Sequence, residues 1–139
     1  MILPSSMSLR KTVWLNGSFD VLHSGHVKLF RYARMLAGPN GLVVVGTDTD
    51  ERISSYKGPS RPINSLEDRI FVLSSIRYVD QVVSFSSNAE LEAHISAITP
   101  DYMLIGDDYR GREIVGSQYI KKIIYITRDD KSTSNIVNR

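Results

Sequence analysis

Cysteine is absent from the 139 residues, which excludes disulfides, thiolate metal sites and cysteine nucleophiles and fits a reducing cytosol. No run of about 18 apolar residues occurs, so no transmembrane helix is expected. The opening "MILPSSMSLRK" lacks a charged segment followed by a long apolar one, so a signal peptide is not expected either. Net charge is also scarce: 17 Lys and Arg against 15 Asp and Glu leave a formal +2, too little to point to a nucleic-acid partner. Neither G-x-x-x-x-G-K-[ST] nor G-x-G-x-x-G is present, which excludes a phosphate-loop kinase and an ordinary dinucleotide binder. Histidine is rare as well, yet two of the three fall together, at His23 and His26.

What is present suits one globular domain. Apolar residues make up 42% and charged residues 23%, ordinary proportions for a chain able to build a single core. Residues 1–10 read as a flexible polar lead-in and 11–139 as the domain. "TVWL" (12–15) and "LVVVGTD" (42–48) are apolar, β-branched runs expected as buried strands. Between them Val27, Phe30, Ala33 and Leu36/Ala37 recur at helical spacing, ended by "GPNG". "TDERISSYKGPSRPIN" reads as a polar loop. "SLEDRIFVLSSIRYV" reads as a helix with Ser65 as N-cap, followed by "QVVSF" as a strand and "AELEAHISAI" as a helix. "DYMLIGDD" is a fourth strand, "QYIKKIIYIT" ends in a fifth, and "STSNIVNR" opens a last helix. This alternation predicts an α/β fold: a single Rossmann-like domain with a mostly parallel five-stranded sheet and helices on both faces. Ligands of such sheets bind beyond the carboxyl ends of the strands. The loops at "NGSFDVLHSGH", "GDD" and "TRDDKSTS" should therefore converge on one edge.

"HSGH" carries the most chemistry. Its spacing puts His23 and His26 on nearly the same face of an opening helical turn. Gly25 permits close approach, and the helix N-terminus offers N–H groups to an anion. Two imidazoles at a helix end suit a phosphate that gains charge during transfer. The plainer alternatives are a metal pair or two histidines that merely cap the turn, and no third ligand stands nearby to complete a zinc site. Lys57 and Arg61 lie in the polar loop, where they can close over a substrate or stay solvated. Ser132, Thr133 and Ser134 open the last helix as an anion site or as ordinary capping. Arg69 can pair with carboxylates or reach the site. Asp20 is expected to organise the first loop rather than to act as a base. His94 is expected to be an ordinary half-buried histidine.

"GSFDVLHSGHVKLF" resembles the signature of the cytidylyltransferase-like nucleotidyltransferases, H-x-G-H after a first strand. "YKGPSRPINSLEDRIFVLSSIRYVDQVVSF", "PDYMLIGDDYRGREIVGS" and "STSNIV" resemble further blocks in the same order, so the likeness spans about residues 11–137. The resemblance implies that an acceptor phosphate attacks the α-phosphorus of a nucleoside triphosphate, ATP or CTP, and that pyrophosphate leaves with no covalent intermediate. It implies that His23 and His26 stabilise the α-phosphate, that Gly17, Ser18 and Phe19 contact the triphosphate, and that Lys57 bridges acceptor and nucleotide phosphates. Ser132, Thr133 and Ser134 would bind the β- and γ-phosphates. Arg128 matches an arginine of the family, though one residue closer to the serine. Gly106, Asp107 and Asp108 lie near the expected base. Asp20, Arg69 and Arg77 join Lys57 on the acceptor side. The resemblance further implies magnesium carried by the triphosphate, a homodimer and a cytoplasmic location, with no nucleic acid or membrane partner.

Two branches of the family share the blocks. "KGPSRPIN", "REIVGS" and "STSNI" resemble the adenylyltransferase that forms ADP-heptose from heptose 1-phosphate. "IRYVD" and "GDDYRG" resemble glycerol-3-phosphate cytidylyltransferase. The heptose branch has Lys-Gly-Gly-Asp-Tyr where this chain reads Ile105-Gly106-Asp107-Asp108-Tyr109, which leaves the base open. The longer ungapped blocks favour the heptose reading. A nucleotide-binding regulatory protein without catalysis is the alternative of another class.

Overall fold

Alternation along three strands decides which side chains enter which layer. In β1 (Thr12–Gly17), β2 (Leu42–Asp48) and β4 (Tyr102–Gly106), successive residues point to opposite faces. Val13, Leu15, Val43, Val45 and Leu104 enter one apolar layer, and Trp14, Val44 and Met103 enter the other. In the computed structural model, which describes residues 10–127, these strands join β3 (Gln81–Phe85) and β5 (Lys122–Ile126). The sheet order is β3-β2-β1-β4-β5, and every strand pairing among the described residues is parallel. The expected five-stranded Rossmann-like sheet is therefore what forms.

Four helices are described. On the first face lie α1 (Ser24–Ala37), through Phe30, Ala33 and Ala37, and α3 (Leu66–Ser74), through Leu73. On the second lies α4 (Asn88–Ile98), through Leu91 and Ile95. The connection from β4 to β5 contains two short 3-10 turns, Asp107–Tyr109 and Ser117–Tyr119. It packs Ile114, Val115 and Ile120 onto that second face. Gly116 makes this contact possible: its φ is +81°, and a Cβ there would stand 2.8 Å from the Ile95 side chain.

One element departs from the sequence reading. The stretch taken as a polar loop contains a helix, α2 (Asp50–Lys57). Thr49 caps it by accepting from the Arg52 N–H, and Asp50 and Glu51 occupy the first turn, where the helix dipole favours negative charge. Ile53 is its one buried residue, so no apolar stripe announced it. The flexible lead-in lies outside the described residues except for Arg10, and so does the last helix expected at "STSNIVNR".

Trp14 fills the second layer at 0% exposure, and its indole occupies the space that a side chain at position 46 would need. A Cβ on Gly46 would stand 2.7 Å from the indole Cζ2 and 3.2 Å from a Phe85 ring carbon. Gly46→Ala is therefore expected to cost about 1–3 kcal/mol by overpacking, read as a lower urea midpoint. An unchanged midpoint would mean that the indole moves aside freely.

Candidate active site

Pairing between β1 and β4 consists of Val13↔Tyr102 and Trp14↔Met103 and goes no further. The outer ladders continue, to Gly17↔Thr47 between β1 and β2 and to Gly106↔Ile126 between β4 and β5. The sheet thus opens at its middle, where the crossover direction reverses, and that is where α/β sheets take ligands. A cleft of about 570 Å³ occupies the opening. Leu15, Asn16 and Gly17 form one lip, and Leu104, Ile105 and Gly106 form the other.

His23 and His26 stand in this cleft with ring centroids 4.0 Å apart. His23 is the N-cap of α1, its Nδ1 accepting from the Gly25 N–H at 3.0 Å, and the Nδ1 of His26 accepts from the His23 N–H at 3.2 Å. The pair is thus a capping box built from imidazoles. The capping alternative holds for Nδ1 and supplies chemistry at Nε2. A backbone N–H can only donate, so each Nδ1 is unprotonated and each neutral ring carries its proton on Nε2. Two Nε2–H donors on adjacent rings suit an anion. The first turns of α2, α3 and α4 contain acidic residues, whereas that of α1 has none. Its partial positive charge therefore remains available to a ligand.

Phe19 holds this arrangement from behind. It is buried at 7% exposure with φ +46°, a costly backbone conformation for a bulky residue. Its ring stands edge-on to His26 at 5.6 Å and tilts on Phe30 at 5.4 Å. The turn is fixed by polar contacts beneath it. Arg69, 2% exposed, donates through Nη1 to the Ser18 carbonyl (3.0 Å), Thr47 Oγ1 (2.8 Å) and the Asp48 carbonyl (2.8 Å). Its Nε reaches the Asn64 carbonyl and its Nη2 reaches Asp50. Asp20, also 2% exposed, accepts from the Ile63 N–H at 2.7 Å and the Asn64 N–H at 2.8 Å.

The structure therefore divides the residues singled out in the sequence. Gly17, Ser18, Phe19, His23, His26, Lys57 and Gly106 all line the cleft. Lys57 is the last residue of α2 rather than part of a loose loop, and its Nζ donates to Ser18 Oγ at 3.1 Å. Asp20 and Arg69 lie beneath the cleft as supports and are not among its lining residues; backbone groups engage the Asp20 carboxylate, and backbone carbonyls, the Thr47 hydroxyl and the Asp50 carboxylate engage the Arg69 guanidinium. Arg77 is exposed beyond α3, stacked 5.0 Å over the Tyr78 ring, away from the cleft lining. Asp107 and Asp108 are exposed in the turn after β4, where Asp107 takes the Arg110 guanidinium, while Gly106 and Tyr109 on either side line the cleft. Arg128, Ser132, Thr133 and Ser134 lie outside the described residues. His94 bonds the Ser84 carbonyl, away from the site. Asp48, Arg52, Tyr56, Asn88 and Glu113 also line the cleft and were not singled out in the sequence. Only the i, i+4 spacing of Asp48, Arg52 and Tyr56 hinted at the first three.

A model of the family described as "Cytidylyltransferase-like" matches residues 14–139. The chain belongs to the cytidylyltransferase-like family, whose members are nucleotidyltransferases. Among curated proteins it is 43% identical over 136 residues to "Bifunctional protein HldE" of Campylobacter concisus, which covers 97% of this chain and 28% of that protein. It is 41% identical over 128 residues to the protein of the same name from Helicobacter hepaticus, covering 91% and 26%. The chain thus spans little more than a quarter of these relatives. Among solved structures, a lipopolysaccharide core biosynthesis protein from Thermoplasma volcanium superposes with a TM-score of 0.66 at 22% identity, covering 86% of this chain and 98% of the other. That likeness is one of fold. Within the family's frame, no helix among the described residues is long and apolar enough to cross a membrane.

Arg69 is expected to matter through the turn it holds. Arg69→Met keeps much of the volume but leaves the half-buried Ser18 carbonyl and the buried Asp48 carbonyl without this donor, a loss of about 2–4 kcal/mol. Urea unfolding checks this, and a midpoint equal to wild type would show that the turn stands without it.

Proposed function

We propose that this chain transfers a nucleoside monophosphate from a nucleoside triphosphate to the phosphate of a sugar or polyol phosphate. The preferred reading is adenylyl transfer from ATP to heptose 1-phosphate, as in ADP-heptose synthesis. The observation that carries the transfer is the imidazole pair, locked through Nδ1 at the N-terminus of α1, in the opening between β1 and β4. The choice of acceptor is supported by the "KGPSRPIN" and "REIVGS" blocks and by the curated relatives called HldE.

The acceptor's phosphate oxygen attacks the α-phosphorus, and the bond to the oxygen bridging to the β-phosphorus breaks. Pyrophosphate leaves with that electron pair. Positioning and charge neutralisation do most of the work in such a step. The Nε2–H groups of His23 and His26 donate to the α-phosphate oxygens as charge builds there, with the end of α1 adding its dipole. Lys57, within reach of Ser18, draws the acceptor phosphate to the nucleotide and offsets their mutual repulsion. Arg69 and Asp20 act as positioning residues for the Ser18–Phe19 turn. Magnesium enters this proposal with the triphosphate, where it would neutralise phosphate charge. The cleft carboxylate of Glu113 is a hard oxygen donor compatible with an ion held mainly by phosphates and water. The homodimer and the cytoplasmic location implied by the resemblance belong to the same proposal.

Cytidylyl transfer to glycerol 3-phosphate is the second reading, favoured by "IRYVD" and by the carboxylates of "GDDYRG" beside the β4 lip. A panel of ATP, CTP, GTP and UTP against heptose 1-phosphate, glycerol 3-phosphate and other phosphomonoesters separates the two by pyrophosphate release. Triphosphate binding with no release from any pair would favour a non-catalytic nucleotide-binding protein instead.

With the active pair in hand, His26→Ala is expected to lower kcat by about 100-fold or more with little change in nucleotide KM. An effect confined to KM would reduce the histidine to a binding role. Lys57→Ala is expected to raise acceptor KM by about tenfold with nucleotide KM kept. Unchanged acceptor kinetics would remove the lysine from the site.

A further inference from the structure

The sheet order puts β2 and β3 on one side of β1 and β4 and β5 on the other, so the histidine pair divides the cleft into two unlike halves. The β4–β5 half is lined mainly by Ile105, Tyr109, Ile114, Val115 and Ile126, apolar and aromatic surface of the kind that lines small-molecule sites. The β2–β3 half is lined by Asp48, Arg52, Tyr56 and Asn88, and Lys57 projects from the same side.

These side chains form one connected network. Asp48 Oδ1 accepts both from Arg52 Nε and from the Tyr56 hydroxyl, each at 2.8 Å. Arg52 Nη2 donates to Asn88 Oδ1 at 2.8 Å, and the guanidinium lies 5.6 Å from the Tyr56 ring centroid and 5.2 Å from that of Phe85. Burial, with the bond to Asp48, pushes the Tyr56 hydroxyl up to about 12, so it remains a donor at neutral pH. Since a guanidinium can only donate, Asn88 must turn its carbonyl toward Arg52, which leaves the amide NH₂ as a donor. Among the described residues, no hydrogen bond reaches the second oxygen of Asp48, Nη1 of Arg52 or Nδ2 of Asn88. None of these atoms is sealed in the interior either. The cleft wall therefore presents one anionic acceptor beside two donors. Neighbouring hydroxyl groups, each able to donate and accept, complement that pattern.

We infer that Asp48, Arg52 and Asn88 form a hydroxyl-reading subsite for the organic part of the acceptor, which makes the acceptor a sugar or polyol phosphate rather than an apolar phosphomonoester. The inference rests on the nucleotidyl-transfer reading above. Lys57 holds the acceptor phosphate next to the histidine pair, and the carbon chain extends over the Asp48 carboxylate. Asp48 is only 6% exposed, so an analogue without the hydroxyl leaves a nearly buried carboxylate oxygen unpaired. Sites of this kind discriminate strongly against such analogues.

The experiment uses the most active nucleotide–acceptor pair of the panel and compares wild type with Asp48→Asn and Asn88→Ala by pyrophosphate release. Both variants are expected to raise acceptor KM by about tenfold or more while nucleotide KM stays within about twofold. Asn88 sits on the exposed first turn of α4, so Asn88→Ala decides the matter should Asp48→Asn fail to fold. Acceptor KM within about twofold of wild type overturns the subsite while leaving nucleotidyl transfer intact. A rise in nucleotide KM instead of acceptor KM overturns it too, by moving the network to the nucleotide's side. A wild-type protein that releases pyrophosphate with no pair fails the underlying reading first, and the subsite with it.

Discussion

A single buried guanidinium sets the geometry on which the site depends. Arg69 reaches the turn after β1 through Ser18, the end of β2 through Thr47 and Asp48, the first turn of α2 through Asp50, and the entry to α3 through Asn64. Arginine suits this role because its five N–H donors are planar and permanently charged. Nearly all its partners are carbonyl or hydroxyl oxygens, so the charge is stabilised by dipoles around it, with Asp50 as its ionic partner at a more exposed position. Buried polar groups at such density tolerate only one arrangement of the chains that supply them. The strained Phe19 backbone is held in that arrangement.

The histidine pair follows from the same constraint. A turn placed by Arg69 and Asp20 delivers the chain to α1 at a fixed point, and the Phe19 ring then supports His26. The rings spend Nδ1 on the helix terminus, which fixes both their orientation and the tautomer that presents Nε2–H. Structural capping and anion recognition are thus two ends of the same imidazoles. The opening between β1 and β4 leaves room for a phosphate chain in front of them.

Much of this was legible in the residues. The strands around Val13–Leu15 and Val43–Val45 are runs that only burial on both sides can satisfy, and the helical period after Gly25 was long enough to identify α1. The helix α2 was hidden because Ile53 is its sole buried residue and the surrounding "DER" and "SSYK" read as solvated loop. Arg69 was open to two readings because a helix-borne arginine has the same local signature whether it faces a ligand or the interior. The network of Asp48, Arg52, Tyr56 and Asn88 was harder still, since Asn88 comes from a different helix 36 residues away from Arg52.

By itself the chain determined its alternation of strands and helices and the short-range device at "HSGH", because burial periodicity and i, i+3 spacing act between residues close in sequence. Tertiary structure alone decided which charged groups became supports and which became cleft walls. Asp20 and Arg69 went beneath the turn, and Asp48 and Lys57 faced the opening. The physical reason is that a charge's role depends on which dipoles and counter-charges surround it. Those neighbours arrive from distant segments only when the sheet assembles.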